Sequence, residues 1–338
     1  MTASPISDQH TKIDRMLCLF RAAQNLTDPK QVLPEPRYLT ECPNIEFPIY
    51  TADAALAWMG ENAAGHLEAM ILAQLLDEPV MTWQLVDAAE PHLATRASYE
   101  HAELVHTLGV RAAHACQDPQ ARARMRTYRG KRRLASGHPT DALTDFEEAS
   151  YAFEEIDDRP GAARTMHYQA AAHLAAGDLP RGEMLATQAI EQSMLAGDEA
   201  TAALAQLTRA EVSLERHQYE TAARDAQNAH TVFVALRDEP NSARTQIALA
   251  RAHTGLGHLD DADELLIKAD TALRHHSYDL ARLYMARADI ANMRADRHDD
   301  PEWNQRQAAL LRRSASDICV ALAVPLFRWP SPTTRNPA

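Results

Sequence analysis

Apolar residues along the chain recur at the spacing of helix faces and do not alternate as they would in strands. Ala142, Phe146, Ala149 and Phe153 fall at spacings of four and seven and share one face of a helix. The same arrangement returns as Gly182, Ala186 and Ala189, as Ala222, Ala226, Ala229 and Phe233, and as Ala262, Leu266, Ala269 and Leu273. Small residues on these faces allow close helix approach, while the Phe and Leu side chains fill the space between helices.

Laid out in rows of forty residues, the chain aligns without gaps. One column holds Asp118, Asp158, Asp198 and Asp238; another holds Gly137, Gly177, His217 and Gly257; a third holds Ala102, Ala142, Gly182, Ala222 and Ala262. Each row reads as two helices, as in ARARMRTYRGKRRLASG followed by HPTDALTDFEEASYAFEEIDD. The Gly column suits helix ends that need a left-handed residue, and the Asp column suits caps on the next helix. The pattern predicts an all-α fold, a right-handed α-solenoid of stacked antiparallel helical hairpins with a forty-residue repeat.

A small residue in each first helix precedes the small residue of the second helix by twelve positions: Gly130 and Ala142, Ala170 and Gly182, Ala210 and Ala222, Ala250 and Ala262. This arrangement resembles the tetratricopeptide (TPR) repeat over roughly residues 80 to 295. It departs from that family in its longer unit, the usual one being about 34 residues, and in lacking the family's first-helix Trp and Tyr.

The segment AALAWMGENAAGHLEAMILAQLL, with Ala54, Ala57, Trp58, Glu61 and Leu67, resembles the stretch that introduces the C-terminal repeats of large actinobacterial transcriptional regulators of the NB-ARC/STAND type. Those regulators carry an ATPase domain, yet this sequence has no G-x-x-x-x-G-K-[ST] loop and no basic helix-turn-helix signature. The resemblance therefore implies the sensor or scaffold half alone. Three regions are expected: residues 1–49 as a helical lead-in (about Lys12 to Leu26) with a Pro-punctuated connector, 50–320 as a solenoid of about six hairpins, and 321–338 as a mobile Pro-rich tail.

Composition narrows the class. Hydrophobic residues are 46% of the chain and aromatics only 6%, the balance of a helix-former rich in Ala and Leu. A net charge of −13 argues against direct nucleic-acid binding, which needs a basic surface. With no signal-like N-terminus and no run of about 18 apolar residues, a soluble cytoplasmic protein without membrane contact is expected. Cys18, Cys42, Cys116 and Cys319 are widely separated, which fits a reduced setting and no zinc knuckle; Cys116 reads as a structural thiol.

First helices of such hairpins line the concave side. The positions equivalent across rows are Arg124 and Lys131, Arg164 and His167, Leu207 and Glu211, Arg244 and Arg251, and Tyr284 and Arg287. This predicted groove is mainly basic in an acidic protein. It would hold an acidic protein or peptide segment, or a free C-terminal carboxylate, through paired guanidinium bonds. The plainer reading is a solvated face whose arginines pair with acids such as Glu147, Glu148, Glu154 and Glu155.

Sixteen histidines raise the question of a metal, and the spacings argue against one. There is no H-E-x-x-H, Glu103 and His106 form the single E-x-x-H, and His253 and His258 are five apart and share no helix face well. His275 and His276 read as a helix-end pair that offsets the dipole. No cofactor and no nucleophile motif such as G-x-S-x-G is found. The leading expectation is a non-catalytic binding scaffold or regulator in transcriptional or signalling control. The alternatives are a cyclase- or isomerase-like enzyme using His167, Glu211 and Glu215, a small-ligand sensor, and a structural protein that self-associates as a homo-oligomer.

Overall fold

From α5 to α13 helix starts recur every twenty residues, because each connection is a short break of two or three residues. The computed structural model describes residues 5–27, 47–273, 277–297 and 300–321, and among them finds fifteen α-helices and no strand. They run α1 (Pro5–Thr27), α2 (Ala52–Glu61), α3 (Ala63–Leu75), α4 (Pro79–Thr95), α5 (Tyr99–Ala115), α6 (Pro119–Ala135), α7 (Pro139–Glu155), α8 (Arg159–Ala175), α9 (Leu179–Leu195), α10 (Glu199–Glu215), α11 (Tyr219–Leu236), α12 (Glu239–Leu256), α13 (Leu259–Ala272), α14 (Ser277–Asp296) and α15 (Pro301–Ala321).

Each break combines a left-handed residue with an N-cap. Gly137, Gly177 and Gly257 have φ of 80°, 82° and 85°, and His217 takes the same conformation at 57°. The intervening breaks use Asp157, Gly197 and Arg237 at 53°, 72° and 55°. The next residue is the N-cap of the following helix, and where it is Asp its side chain does the capping. Asp158 accepts from the Gly161 N–H at 2.9 Å, Asp198 from Thr201 at 3.0 Å and Asp238 from Asn241 at 3.1 Å. Such a cap contributes about 1 kcal/mol by satisfying an otherwise orphaned helix donor.

By backbone proximity the chain divides into two units, Met1–Arg133 with Tyr151–Ile156, and Leu134–Ser150 with Asp157–Ala338. In the first unit α4 is the hub, buried continuously from Met81 to Glu90, with α1, α2, α3 and α5 around it. Helix α1 presents Ile13, Leu17 and Phe20 at helical spacing, and Phe20 meets Trp58 of α2 with ring centroids 5.3 Å apart. The lead-in helix expected near residues 12–26 is thus present and longer. The regulator-like segment, read from sequence as one stretch, breaks at Asn62 into α2 and α3.

The second unit contains α8 to α15 as consecutive antiparallel neighbours. The small-residue faces foreseen in the sequence form its core: Ala186, Ala189, Ala222, Ala226, Ala229, Ala262, Leu266, Ala269 and Leu273 are fully buried. Gly182 shows why small residues are needed, since a Cβ there would lie 3.3 Å from the carbonyl oxygen of Ala170, its partner twelve residues earlier. The fold is an all-α solenoid of helical hairpins.

The Pro-rich connector from Leu33 to Pro43, the Pro-rich tail and the His275–His276 pair lie outside the described residues. One expectation is corrected. Cys18 is disulfide-bonded, so the cysteine spacing did not reveal its pairing; Cys116 and Cys319 are free thiols. Burial, with the Asp118 carboxylate adding to it, pushes the Cys116 thiol up to about 11, which disfavours the thiolate. Among the described residues no helix is long and apolar enough to cross a membrane.

Candidate functional site

In the second unit the first helices α8, α10, α12 and α14 are neighbours in that order, which brings their inward side chains together. A charged cluster results. Arg282 of α14 pairs with Glu211 of α10, and its other amine lies 3.9 Å from Asp279. Arg251 of α12 donates to Glu215 of α10 at 3.1 Å, and Arg244 Nε lies 3.5 Å from Asp279. His167 of α8, buried, sits with Nδ1 3.3 Å from the Thr208 hydroxyl.

The electrostatics follow from burial and pairing. Burial raises the Glu211 carboxyl, but Arg282, Arg244 and Arg251 outweigh it and hold the group below its ordinary range. For Glu215 burial, with the Glu211 carboxylate adding to it, outweighs Arg251, and its carboxyl is raised. Burial pushes His167 down to about 3, with Arg244 adding to the effect. The ring is neutral at physiological pH.

Of the sequence-predicted groove residues, the fold gathers His167, Glu211, Arg244 and Arg251 into this cluster. Arg164, half exposed on α8, lies 3.4 Å from the capping carboxylate of Asp198. Leu207 is a core residue, 2% exposed. Arg287 turns to α13, donating to Asp270 at 3.2 Å and to the Leu266 carbonyl oxygen at 3.4 Å, and Tyr284 packs against core residues. Arg124 and Lys131 belong to the first unit. There Arg124 binds the buried Asp87 through Nε at 3.0 Å and Nη2 at 2.6 Å, while Lys131 lies 3.9 Å from Glu90 and 5.9 Å from the Tyr128 ring.

The sequence reading missed Arg282 and Asp279 of this cluster, and in the first unit Asp87 and Tyr128, the partners of Arg124. For Arg282 the cause is a register slip. Helix α12 begins at Glu239 and α14 at Ser277, 38 residues later, so the counterpart of Arg244 is Arg282 and not Tyr284. A second correction concerns His253 and His258. Counted along one helix they diverge, but the chain turns at Gly257 and their ring centroids lie 5.7 Å apart.

No protein-family model matches the sequence, and no curated protein matches it. Solved structures do. A Rap protein complexed with Competence and Sporulation Factor superposes with a TM-score of 0.58 at 11% identity, covering 94% of this chain and 99% of that one. Aspartyl phosphate phosphatase F from Bacillus subtilis gives 0.57 at 12% identity over 98% of this chain and 99% of that one. A STAND (signal transduction ATPase with numerous domains) protein with a tetratricopeptide repeat sensor, from Pyrococcus horikoshii, gives 0.52 at 14% identity over 79% of this chain. The fold is that of a TPR-like helical repeat protein. This TPR-like chain matches 44% of the length of the STAND protein.

Proposed function

We propose that this TPR-like protein is a non-catalytic scaffold or regulator in transcriptional or signalling control, whose first-helix face binds an acidic protein or peptide segment. The observation that carries the reading is Arg244. Its Nε is buried and makes no hydrogen bond, the nearest carboxylate being that of Asp279 at 3.5 Å, while its Nη1 reaches Asn241 at 3.1 Å. A buried guanidinium donor paired only at ion-pair distance is not fully satisfied, and an incoming carboxylate would supply the hydrogen bond that Asp279 does not make. Arg164, half exposed on α8, two first helices away, carries the same chemistry toward solvent. That a Rap protein of the same fold is complexed with Competence and Sporulation Factor supports an occupant on such a scaffold.

Two of the three groups an acid–base enzyme would use here are poorly suited to it, which favours binding over catalysis. Glu211 is held ionised by Arg282, and His167 is buried and neutral. The test is affinity capture from the native lysate with the wild type and with an Arg164→Gln/Arg244→Gln variant, at low and moderate salt, read by mass spectrometry. A retained macromolecule that is lost at least tenfold in the variant and weakens with salt supports the proposal. Equal retention by both proteins, or none by either, overturns it.

A further inference from the structure

The α12–α13 break differs chemically from the others. Gly257, left-handed at φ +85°, closes a Schellman motif: the Gly257 N–H donates to the Thr254 carbonyl at 3.0 Å and the His258 N–H to the His253 carbonyl at 2.9 Å. This motif brings together the side chains three residues before the helix end and just past the turn. Elsewhere that pair is ordinary. At the α8–α9 break it is His173 and Asp178, 3.4 Å apart, and Asp178 also caps α9. At α12–α13 both positions are histidine, and His258 makes no side-chain cap bond to α13.

Asp261, in the first turn of α13, completes the group. The ligand atoms of His253, His258 and Asp261 all lie within 4.8 Å of one another. His253 Nδ1 is buried without a hydrogen-bond partner, 4.0 Å from the nearer Asp261 oxygen. A buried imidazole nitrogen without a partner costs free energy that a coordinated cation would remove. Beside the group is a cavity of about 390 Å³ lined by Gly257, His258, Asp261 and Arg297 among others.

We propose that His253, His258 and Asp261 form a binding site for a divalent transition cation of the zinc class, with its fourth coordination position open to the adjacent cavity. Two imidazole nitrogens and a carboxylate oxygen form a suitable donor set, and tetrahedral zinc holds such ligands at about 2.0–2.2 Å, with a water or exogenous ligand completing the shell. His258 and Asp261 are exposed, so their side chains can rotate inward onto the cation, while His253 is the fixed point. Arg294 nearby is engaged with Asp260 at 3.0 Å and Asp263 at 3.1 Å, which tempers its charge at the site. Because its ligands come from both helices of one hairpin, the bound cation would clamp the α12–α13 turn.

Isothermal titration of the tag-free full-length chain with zinc chloride, at neutral pH, tests this. The expected result is one site per chain, with affinity reduced at least tenfold by His258→Ala and separately by Asp261→Asn. His114→Ala, at an exposed histidine on α5, should leave it unchanged. Thermal unfolding with zinc gives a second readout: the midpoint should rise in the wild type and stay put in both site variants. Absence of binding at tens of micromolar zinc would overturn the proposal. So would a wild-type affinity retained by both variants, which would place the zinc on other histidines.

Discussion

Arg282 on α14 and Glu211 on α10 form an ion pair across 71 residues of sequence, with both side chains largely withdrawn from water. Their pairing spans the intervening α12, whose Arg244 and Arg251 act on the same carboxylate. The pair is therefore a tertiary lock between non-adjacent hairpins.

Removing one partner should be far worse than removing both. Glu211→Gln or Arg282→Met alone leaves an uncompensated buried charge and should cost roughly 3–5 kcal/mol, whereas the double variant Glu211→Leu/Arg282→Met should recover most of that loss. Urea unfolding of the three variants decides it. Additive losses in the double variant would show that the two groups act independently.

Stability should fall on mild acidification. Burial pushes His66 to about 4 and His167 to about 3 in the folded protein, against 6.5 unfolded. The unfolded chain then binds protons that the folded one refuses, so their contribution is intact above about pH 6.5 and drains away as the pH falls toward 4 and then 3. The slope of urea stability against pH between 6.5 and 4 should flatten in His167→Gln. An unchanged slope would assign the acid sensitivity to other groups.

Most of the fold was legible in the sequence because the breaks carry strong local chemistry. Asp158, Asp198 and Asp238 cap where their column predicted, and Gly137, Gly177 and Gly257 are left-handed where theirs did. The site was less legible. The fixed forty-residue count failed between α12 and α14, which hid Arg282, and an along-the-helix count kept His253 and His258 apart. Arg124 was visible as a charge, but Asp87 on α4, its buried partner, is set by packing in a unit that does not follow the repeat.

The left-handed breaks make opposite predictions for opposite substitutions. Gly177→Ala places a Cβ at φ +82° in open space, so the loss of about 1 kcal/mol should be purely conformational. Arg237→Gly, at φ +55°, should gain up to about 1 kcal/mol. Thermal unfolding midpoints moving in opposite directions would bear this out; a loss for both would mean the Arg237 side chain contributes more than its backbone strain.

Gly255 on α12 is a steric contact point. A Cβ there would fall 2.3 Å from Cε1 of Tyr219, the first residue of α11. Gly255→Ala should therefore destabilise by about 1–3 kcal/mol through overpacking, and Tyr219→Ala should rescue part of it in a double-mutant cycle. Failure of the rescue would locate the strain elsewhere in α12.

The short breaks make the array extensible. Because α8, α10 and α12 begin forty residues apart with equivalent caps, a duplicated block from Arg159 to Asp198, inserted after Asp198, would present the same faces to its neighbours on both sides. The shortened step from α12 to α14 ends that interchangeability, so lengthening is a property of the stretch from α8 to α12.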